Sequence, residues 1–343
     1  MDLIEIDGSF GEGGGQIVRT AVTLSCILNK PIKIKNIRKG RKNPGLKPQH
    51  ISILKILKKV CGANIDDVKI GSTDLQFFPN EMKRGLNLTE DVETAGSISL
   101  IIQVLIPAVA ICKKSLKIRI TGGTNVLWSP TIDYTQIILK ELYARMGIKF
   151  LIKMVKRGYY SKGGGIIDLE VFPSERIYPI NLNSRHTKNI KLFCSFSKIP
   201  LDLINRQIKD IQEKLLANGF KIQSQLKEET SLDSGSSILI SSIDRDSIIG
   251  VDSLFNKKTK KFDINLDKFI QNNSSVDENL ADMLVLPACL ADGLTVFQVK
   301  KISTHLETNL YISSKITGCR YGIGKLIDGF EVRIEGISYS CIK

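Results

Sequence analysis

The chain has 343 residues, 42% of them hydrophobic, with 49 lysines and arginines against 35 acids and a net charge of +14. That length exceeds one ordinary core and predicts two domains, and the apolar content is enough to fill them. No run reaches the ~18 uninterrupted apolar residues of a membrane span, and the opening MDLIEIDGSFGEGG lacks a signal-peptide layout, so a cytoplasmic protein with no membrane contact is expected.

The nearest approach to a span, residues 98–112, is interrupted by Ser99, Gln103 and Pro107. Seven cysteines (Cys26, Cys61, Cys112, Cys194, Cys289, Cys319, Cys341) are scattered without a CxxC pair. That is the pattern of reduced core thiols, not of a disulfide frame or a zinc site. Three histidines, His50, His186 and His305, are too few for a His-rich metal centre. The excess of basic residues favours phosphate-rich partners, although a uniformly basic surface gives the same sum.

In chain order, a Gly-rich turn opens an apolar helical run, GEGGGQIVRTAVTLSCILN, followed by the alternating strand PIKIKNIR. A second helix over residues 47–61 and short strands near 65–70 and 75–78 come next. The same order returns with AGSISLIIQVLIPAVAICKK as helix, SLKIRITGG as strand and PTIDYTQIILKELYARMG as helix, then IKFLIKMVKRGYY and IIDLEVFP. It returns again with ENLADMLVLPACLADG, LTVFQVKKIS, HLETNLYISSKI and GFEVRIEG. Residues 186–275 differ, being rich in Ser, Asp, Lys and Asn. They hold an amphipathic helix over 201–217 and candidate strands IKLFCSFS, FKIQSQL and SSILISSI.

The expected fold is therefore α/β (α+β). Three repeated βα units form a main domain of residues 1–185 plus 276–343, and a small α+β domain, residues 186–275, is inserted between the second and third. The copies share an order of elements more than residues, and any alternating α/β chain shows some of that order. The loops that follow the first strand of each copy, RKGRKNPG, TGGTNVLWSP and STHLETN, are glycine-, histidine- or base-rich. Equivalent loops of repeated units converge on one face, where a site can be assembled.

Three segments carry candidate chemistry. In SFGEGGGQIVRT, consecutive glycines let backbone N–H groups approach an anion at a helix N-terminus. Glu12 there can hold a divalent cation and Arg19 lies on the first turns of the helix; a plain tight turn is the simpler reading. The segment is neither a Walker A loop nor a GxGxxG fingerprint. IRKGRKNPGLKPQH gathers Arg38, Lys39, Arg41, Lys42 and Lys47, with Gln49 and His50 at the next helix, and reads as a phosphate-binding loop or a solvated basic one. In STHLETN, His305 follows a strand and is expected in a loop, where an imidazole can attack the α-phosphate of ATP to give a phosphoramidate. Asp282 of ENLADML is a carboxylate that could orient the ring. A lone histidine is more often a structural one.

Taken together, GEGGGQIVR, GRKNPGLKPQH, AGSISLIIQ, GGTNVLWSP, GYYSKGGG, NLADMLVLP and THLETN, in this order, resemble the RNA 3′-terminal phosphate cyclase family along nearly the whole chain. The resemblance implies a core of three βα repeats with a small insert after the second. It also implies that ATP adenylates His305, that AMP passes to an RNA 3′-phosphate, and that the 2′-hydroxyl closes a 2′,3′-cyclic phosphate. It assigns Asp282 as the supporting acid and Glu12 as the contact of Mg2+ or Mn2+. Nucleotide contacts fall to Gln103, Asn279, Leu280, Ala281, Asp282 and Met283, with Pro130 and Phe78 near the adenine, and phosphate contacts to Arg19, Arg41, Gln49 and His50. Asn279 stands where members often carry an aromatic residue, which weakens stacking on the base from that side. Two rival readings are a non-catalytic, cyclase-like ribosome-biogenesis factor, which would lack the active-site histidine, and an enolpyruvyl transferase-like enzyme built from similar units.

Overall fold

The computed structural model describes residues 3–342. The first sheet contains β1 (Ile4–Asp7), β2 (Ile32–Lys35), β3 (Asn64–Ile65) and β4 (Leu75–Phe78) in the order β1-β2-β4-β3. β1 and β2 are parallel, with Ile4 opposite Ile32, and β4 runs antiparallel to β2 and β3. The alternation in IKIK buries Ile32 and Ile34 and turns Lys33 and Lys35 outward. α1 (Gly15–Leu28) and α2 (Pro48–Cys61) connect the strands on one face. The strand expected near 65–70 is only two residues long.

The second sheet repeats this pairing with different residues. It contains β5 (Leu86–Asp91), β6 (Leu116–Gly122), β7 (Phe150–Lys156) and β8 (Gly165–Val171) in the order β5-β6-β8-β7. β5 and β6 are parallel and β8 is antiparallel to its neighbours. α3 (Ile98–Ile111) joins the first two strands and is buried almost all round because α1 and α2 pack on it. Among the described residues no helix is long and apolar enough to cross a membrane. The single helix expected after β6 is three pieces, α4 (Ile132–Tyr134), a π-helical turn (Thr135–Leu139) and α5 (Lys140–Arg145).

The third sheet has its own core. β9 (Asn189–Ser197), β10 (Lys221–Glu228), β11 (Gly235–Ile243), β12 (Ile248–Asn256) and β13 (Lys261–Phe262) lie in the order β10-β9-β11-β12-β13. α6 (Leu201–Ala217) covers one face through Ile204, Ile208, Ile211 and Leu215, and α7 (Leu266–Gln271) adds Phe269. The helix has the predicted bounds, whereas β12, β13 and α7 were not anticipated. The rest of the chain is α8 (Glu278–Leu290), β14 (Leu294–Val299), α9 (Thr304–Thr317), β15 (Arg320–Leu326), β16 (Gly329–Glu335) and α10 (Tyr339–Ile342), with strand order β14-β16-β15.

One pairing shows where the third sheet leaves the chain. Residues 180–182 lie parallel to β14, with Leu182 N–H donating to the Val296 carbonyl and Val296 N–H to the Ile180 carbonyl, each at 2.9 Å. They take the place beside β14 that β1 and β5 hold beside β2 and β6. The chain then departs and returns through the bridge of Ser184 with Ser274 before α8 begins. Five cysteines (Cys26, Cys61, Cys194, Cys289, Cys319) are free and buried, as core thiols should be, and Cys112 is partly buried. The side chain of Cys341 lies outside the described residues.

Candidate active site

α1, α8 and α9 pack together, and the loops at their N-terminal ends surround one cavity of about 1040 Å³. That is at the upper end of the ~300–1,000 Å³ of small-molecule sites, with room for two ligand moieties. Its lining includes Glu12, Arg19, Arg41, Gln49, His50, Gln103, Pro130, Asn279, Asp282, Met283 and His305. Phe78, Leu280 and Ala281 are not in the lining. Phe78 pairs with Asn64 at the edge of the first sheet, and Leu280 and Ala281 are fully buried on the core side of α8.

His305 is not in a loop. Ser303 caps α9, its hydroxyl accepting the Leu306 N–H at 3.0 Å, so His305 lies in the first helical turn. The imidazole Nδ1 contacts a Glu12 carboxylate oxygen, and the other Glu12 oxygen takes a guanidinium N–H of Arg41. The sequence pointed to Asp282 as the acid beside the ring; the carboxylate found there is Glu12. Asp282 instead accepts from Ser303 Oγ at 3.3 Å and so steadies the cap of α9. Burial lowers the His305 pKa, Glu12 pulls it back up, and Arg19 and Arg41 depress it further. With its proton on Nδ1 facing Glu12, the ring keeps a lone pair on Nε2, which is the atom able to act as a nucleophile.

The loop before α1 is held against α9 by shape. Gly11, at φ +57°, lies on the side chains of Thr308 and Thr304, where a Cβ would collide. Asn309 then ties three helices, accepting from Thr20 Oγ1 at 3.0 Å and donating to the Asp282 carbonyl at 3.3 Å. These contacts fix Glu12 relative to His305.

Close to the Glu12–His305 pair, cations and donors gather, several of them with buried atoms that have no partner. His50 is buried, and its Nδ1 accepts the Lys47 N–H at 3.0 Å, so its proton is on Nε2. Burial, then Arg19, Arg38 and Lys47, push its pKa down to about 3, so it is a neutral donor. Its Nε2 has no partner, and neither do the buried Gln16 Nε2, Arg38 Nε and Arg41 Nε. A Cβ on Gly15 would lie 2.6 Å from His50 Nε2, so only glycine leaves that donor open to the cavity. Burial lowers Arg19 to about 10, Asp282 raising and Arg38 lowering it, and it stays cationic at neutral pH.

Buried donors left unpaired are costly unless a ligand satisfies them, and an array of N–H groups with no acceptor fits an oxyanion such as phosphate. Arg38 and Lys47, from the basic loop that the sequence marked as a candidate phosphate binder, belong to this array, and so does Gln16, which sequence reasoning did not single out. Two further lining residues were also missed. Asp252 on β12 accepts the Thr131 N–H at 2.7 Å and brings the third sheet to the cavity wall. Trp128, in GGTNVLWSP, is the chain's one tryptophan, and that singularity could have drawn attention to it.

The opposite wall has a different character. Gln103 on α3 donates to Met283 Sδ on α8 at 3.7 Å, and Leu100, Val104, Leu286 and Tyr143 make an apolar slot beside Asn279 and Pro130. An aromatic base fits such a slot, and the amide groups of Gln103 and Asn279 can read its edge.

Comparison with known proteins agrees with this layout. Residues 10–323 match the family model described as RNA 3′-terminal phosphate cyclase. The chain is 37% identical over 341 residues to an RNA 3′-terminal phosphate cyclase of Saccharolobus islandicus, covering 97% of this chain and 100% of that one. It is 34% identical over 348 residues to the RNA 3′-terminal phosphate cyclase of Pyrobaculum aerophilum, with 98% and 99% covered. The Pyrococcus furiosus protein of the same description is 34% identical over 340 residues, with 97% and 98% covered. The chain belongs to the RNA 3′-terminal phosphate cyclase family.

Proposed function

We propose that this protein converts an RNA 3′-terminal phosphate to a 2′,3′-cyclic phosphodiester at the expense of ATP, with His305 as the nucleotide carrier. The observation that carries the reading is the Glu12–His305 pair at the first turn of α9, beside unpaired phosphate-binding donors. His305 Nε2 attacks the α-phosphorus of ATP, forming a P–N bond as diphosphate leaves. Glu12 faces Nδ1–H and offsets the positive charge that the ring acquires. An oxygen of the RNA 3′-phosphate then displaces the imidazole, and the neighbouring 2′-hydroxyl closes on that phosphate and expels AMP.

Arg19, Arg41, Gln49 and His50 hold the terminal phosphate in this scheme, joined by Arg38 and Gln16. His50 does so as a neutral donor, and the arginines supply charge-assisted bonds. Gln103, Asn279, Pro130 and Met283 take the adenosine. Asp282 positions His305 through the Ser303 cap, with burial and the carboxylates of Asp277, Glu12 and Glu278 raising its own pKa and Ser303 opposing them. Among the described residues no group of three or more His, Cys, Asp or Glu is arranged to hold a metal ion by itself. Mg2+ or Mn2+ would be held by the single carboxylate of Glu12, with its remaining oxygens coming from ligand phosphates. Such an ion would neutralise phosphate charge, and it would have to compete with Arg41 and His305 for the carboxylate.

The same reading gives the architecture as three βα units, residues 1–185 plus 276–343, with residues 186–275 inserted. Its support is the shared strand order of the first two sheets and the place of residues 180–182 beside β14. The cytoplasm is the proposed compartment, since the buried thiols are unpaired.

The test is intact mass after incubation with ATP and Mg2+. The wild-type protein gains one adenylate. His305→Asn gains none and cyclises no RNA from ATP, with a melting temperature near that of the wild type, and adenylation of the variant overturns the assignment. RNA supplied already activated as its 3′-adenylylated diphosphate should still be cyclised in part by this variant, because that step needs positioning and not the imidazole.

A further inference from the structure

The rim of the cavity has a feature that the reaction above does not use. Three large side chains that line it, Leu127, Trp128 and Tyr160, are solvent-exposed. Trp128 is 94% exposed and sits at φ +58°, a conformation that a bulky residue rarely adopts. The segment that presents it is closed at its base. Thr124 and Asn125 N–H both donate to the Gly158 carbonyl, at 2.9 and 3.0 Å, and Ile132 N–H donates to the Thr124 carbonyl at 3.1 Å. Ser129 Oγ bonds the Val126 carbonyl at 3.0 Å, and Asp252 takes the Thr131 N–H. Tyr160 stands on the neighbouring loop, where Asn125 and Tyr159 form a bridge and Gly163 N–H closes on the Tyr159 carbonyl at 2.8 Å.

Single exposed aromatic residues need no explanation. Here two of them occupy adjoining, hydrogen-bonded loops at the mouth of one cavity that is also lined by Arg19, Arg38, Arg41 and Lys47. From this arrangement we infer that Trp128 and Tyr160 form a stacking platform for the bases just upstream of the RNA 3′ end. The inference rests on the proposed function and names the part of the substrate that must lie outside the cavity. A polymer whose terminal phosphate is held by Arg19, Arg38 and His50 has to cross the rim to leave. Flat aromatic faces bind unpaired bases of any identity, so the platform accepts single-stranded ends without reading sequence. A rigid loop meets the bases with little loss of freedom on binding, which suits a site that must accept many RNAs.

Trp128 is the only tryptophan of the chain, so intrinsic fluorescence reports on it alone. Titrating the full-length protein with a single-stranded RNA decamer ending in a 3′-phosphate should quench that fluorescence. The same decamer with abasic sites at its last two upstream positions should quench it far less. Trp128→Ala should raise the KM for decamer cyclisation about tenfold, in keeping with the ~1–3 kcal/mol of one base–aromatic stack. Trp128→Phe should recover much of the loss, and neither change should alter the KM for the abasic decamer. Quenching by ATP in the absence of RNA would move the ring to the nucleotide, and a Trp128→Ala defect equally large in adenylation would do the same. An unchanged KM for the decamer overturns the platform as well, leaving the rim to some other partner. Absence of adenylation in the wild-type protein would instead sink the proposed function, because the quenching measurement needs no turnover.

Discussion

Two clusters in this molecule bury arginine, and they do it in opposite ways. At the junction with the third sheet, Arg157 is 2% exposed and every arm of its guanidinium is used. Nη1 and Nη2 bond Asp133 at 2.8 and 2.7 Å, Nε bonds Glu229 at 2.5 Å, and Asn125 takes a further contact at 3.3 Å. Burial alone would lower the pKa of this group, yet Asp133 and Glu229 hold it above its ordinary value. In the cavity, Arg19 and Arg38 are depressed by burial and lie among other cations, and buried Nε atoms of Arg38 and Arg41 have no partner. The first cluster is complete within the chain. The second leaves buried donors unpaired, and under the proposed function a phosphate would satisfy them.

The largest expected effect comes from breaking the complete cluster. Arg157→Met keeps the length of the side chain but strands Asp133 and Glu229 in a buried setting. Removing one partner of a buried ion pair costs about 3–5 kcal/mol, so the urea midpoint should fall steeply. Glu229 pairs with Arg157 and Asp252 accepts the Thr131 N–H, so residues 186–275 are bound to the main body by paired charge as well as by the chain. A linker replacing them would remove Glu229 and Asp252, expose Asp133 and Arg157, and take away part of the cavity wall. A loss under about 1 kcal/mol for Arg157→Met would show that water substitutes for the pairing.

A smaller effect, of different kind, is expected from the incomplete cluster. Arg38→Met removes one unpaired cation from beside Arg19, Arg41 and Lys47. Stability should stay level or rise, since like charges no longer face each other. Affinity for an RNA 3′-phosphate should fall about 10- to 100-fold, the range of one or two charge-assisted bonds. Measured side by side with Arg157→Met, it should reverse the pattern: binding lost and stability kept. If Arg38→Met unfolds the protein as Arg157→Met does, the contrast between the two clusters fails.

How much of this was visible beforehand follows from the range of each interaction. Helix α6 was legible to the residue because Ile204, Ile208, Ile211 and Leu215 repeat at helical spacing within one element. β12 was not, because Ile248 and Ile249 are buried on both faces at its start and the strand loses its alternation. The helical setting of His305 was missed although Ser303 is a good cap; the residue directly follows the strand reading LTVFQVKKIS and was expected in a loop at its end. The set of cavity residues was largely readable from local motifs, since glycines, arginines and His305 announce themselves. Their pairing was not. Glu12 and His305 lie at opposite ends of the chain, and a single sequence offers two carboxylates for one imidazole with no means of choosing between them. The Arg157 cluster was invisible for the same reason, its partners being spread over Asn125, Asp133 and Glu229.

The smallest effect concerns His50, where acid should cost stability in a predictable window. Its folded pKa is about 3 against an ordinary value of 6.5, with burial as the first cause. As pH falls through 6.5 the unfolded chain takes up a proton that the folded one refuses, so this group destabilises the fold progressively down to about pH 3. By about pH 5.5 the loss from this residue is about 1 kcal/mol, one pK unit's worth. His305, also depressed, acts in the same direction. Asp277, raised to about 6 by burial against the opposing bonds of Gly250, Leu280 and Tyr134, and Asp282, also raised, act in the opposite one. The quantity to measure is therefore the difference between wild type and His50→Gln, in urea midpoints at about pH 7.0 and 5.5. The substituted amide has no proton to take up and can still accept the Lys47 N–H. The wild type should lose about 1 kcal/mol more than the variant over that interval, and a saturating concentration of inorganic phosphate should leave the interval difference in place, because a neutral His50 donates to the anion without titrating. Should the two proteins lose stability in parallel, His50 is not buried as a neutral ring, and its unpaired Nε2 would no longer count among the donors waiting for phosphate.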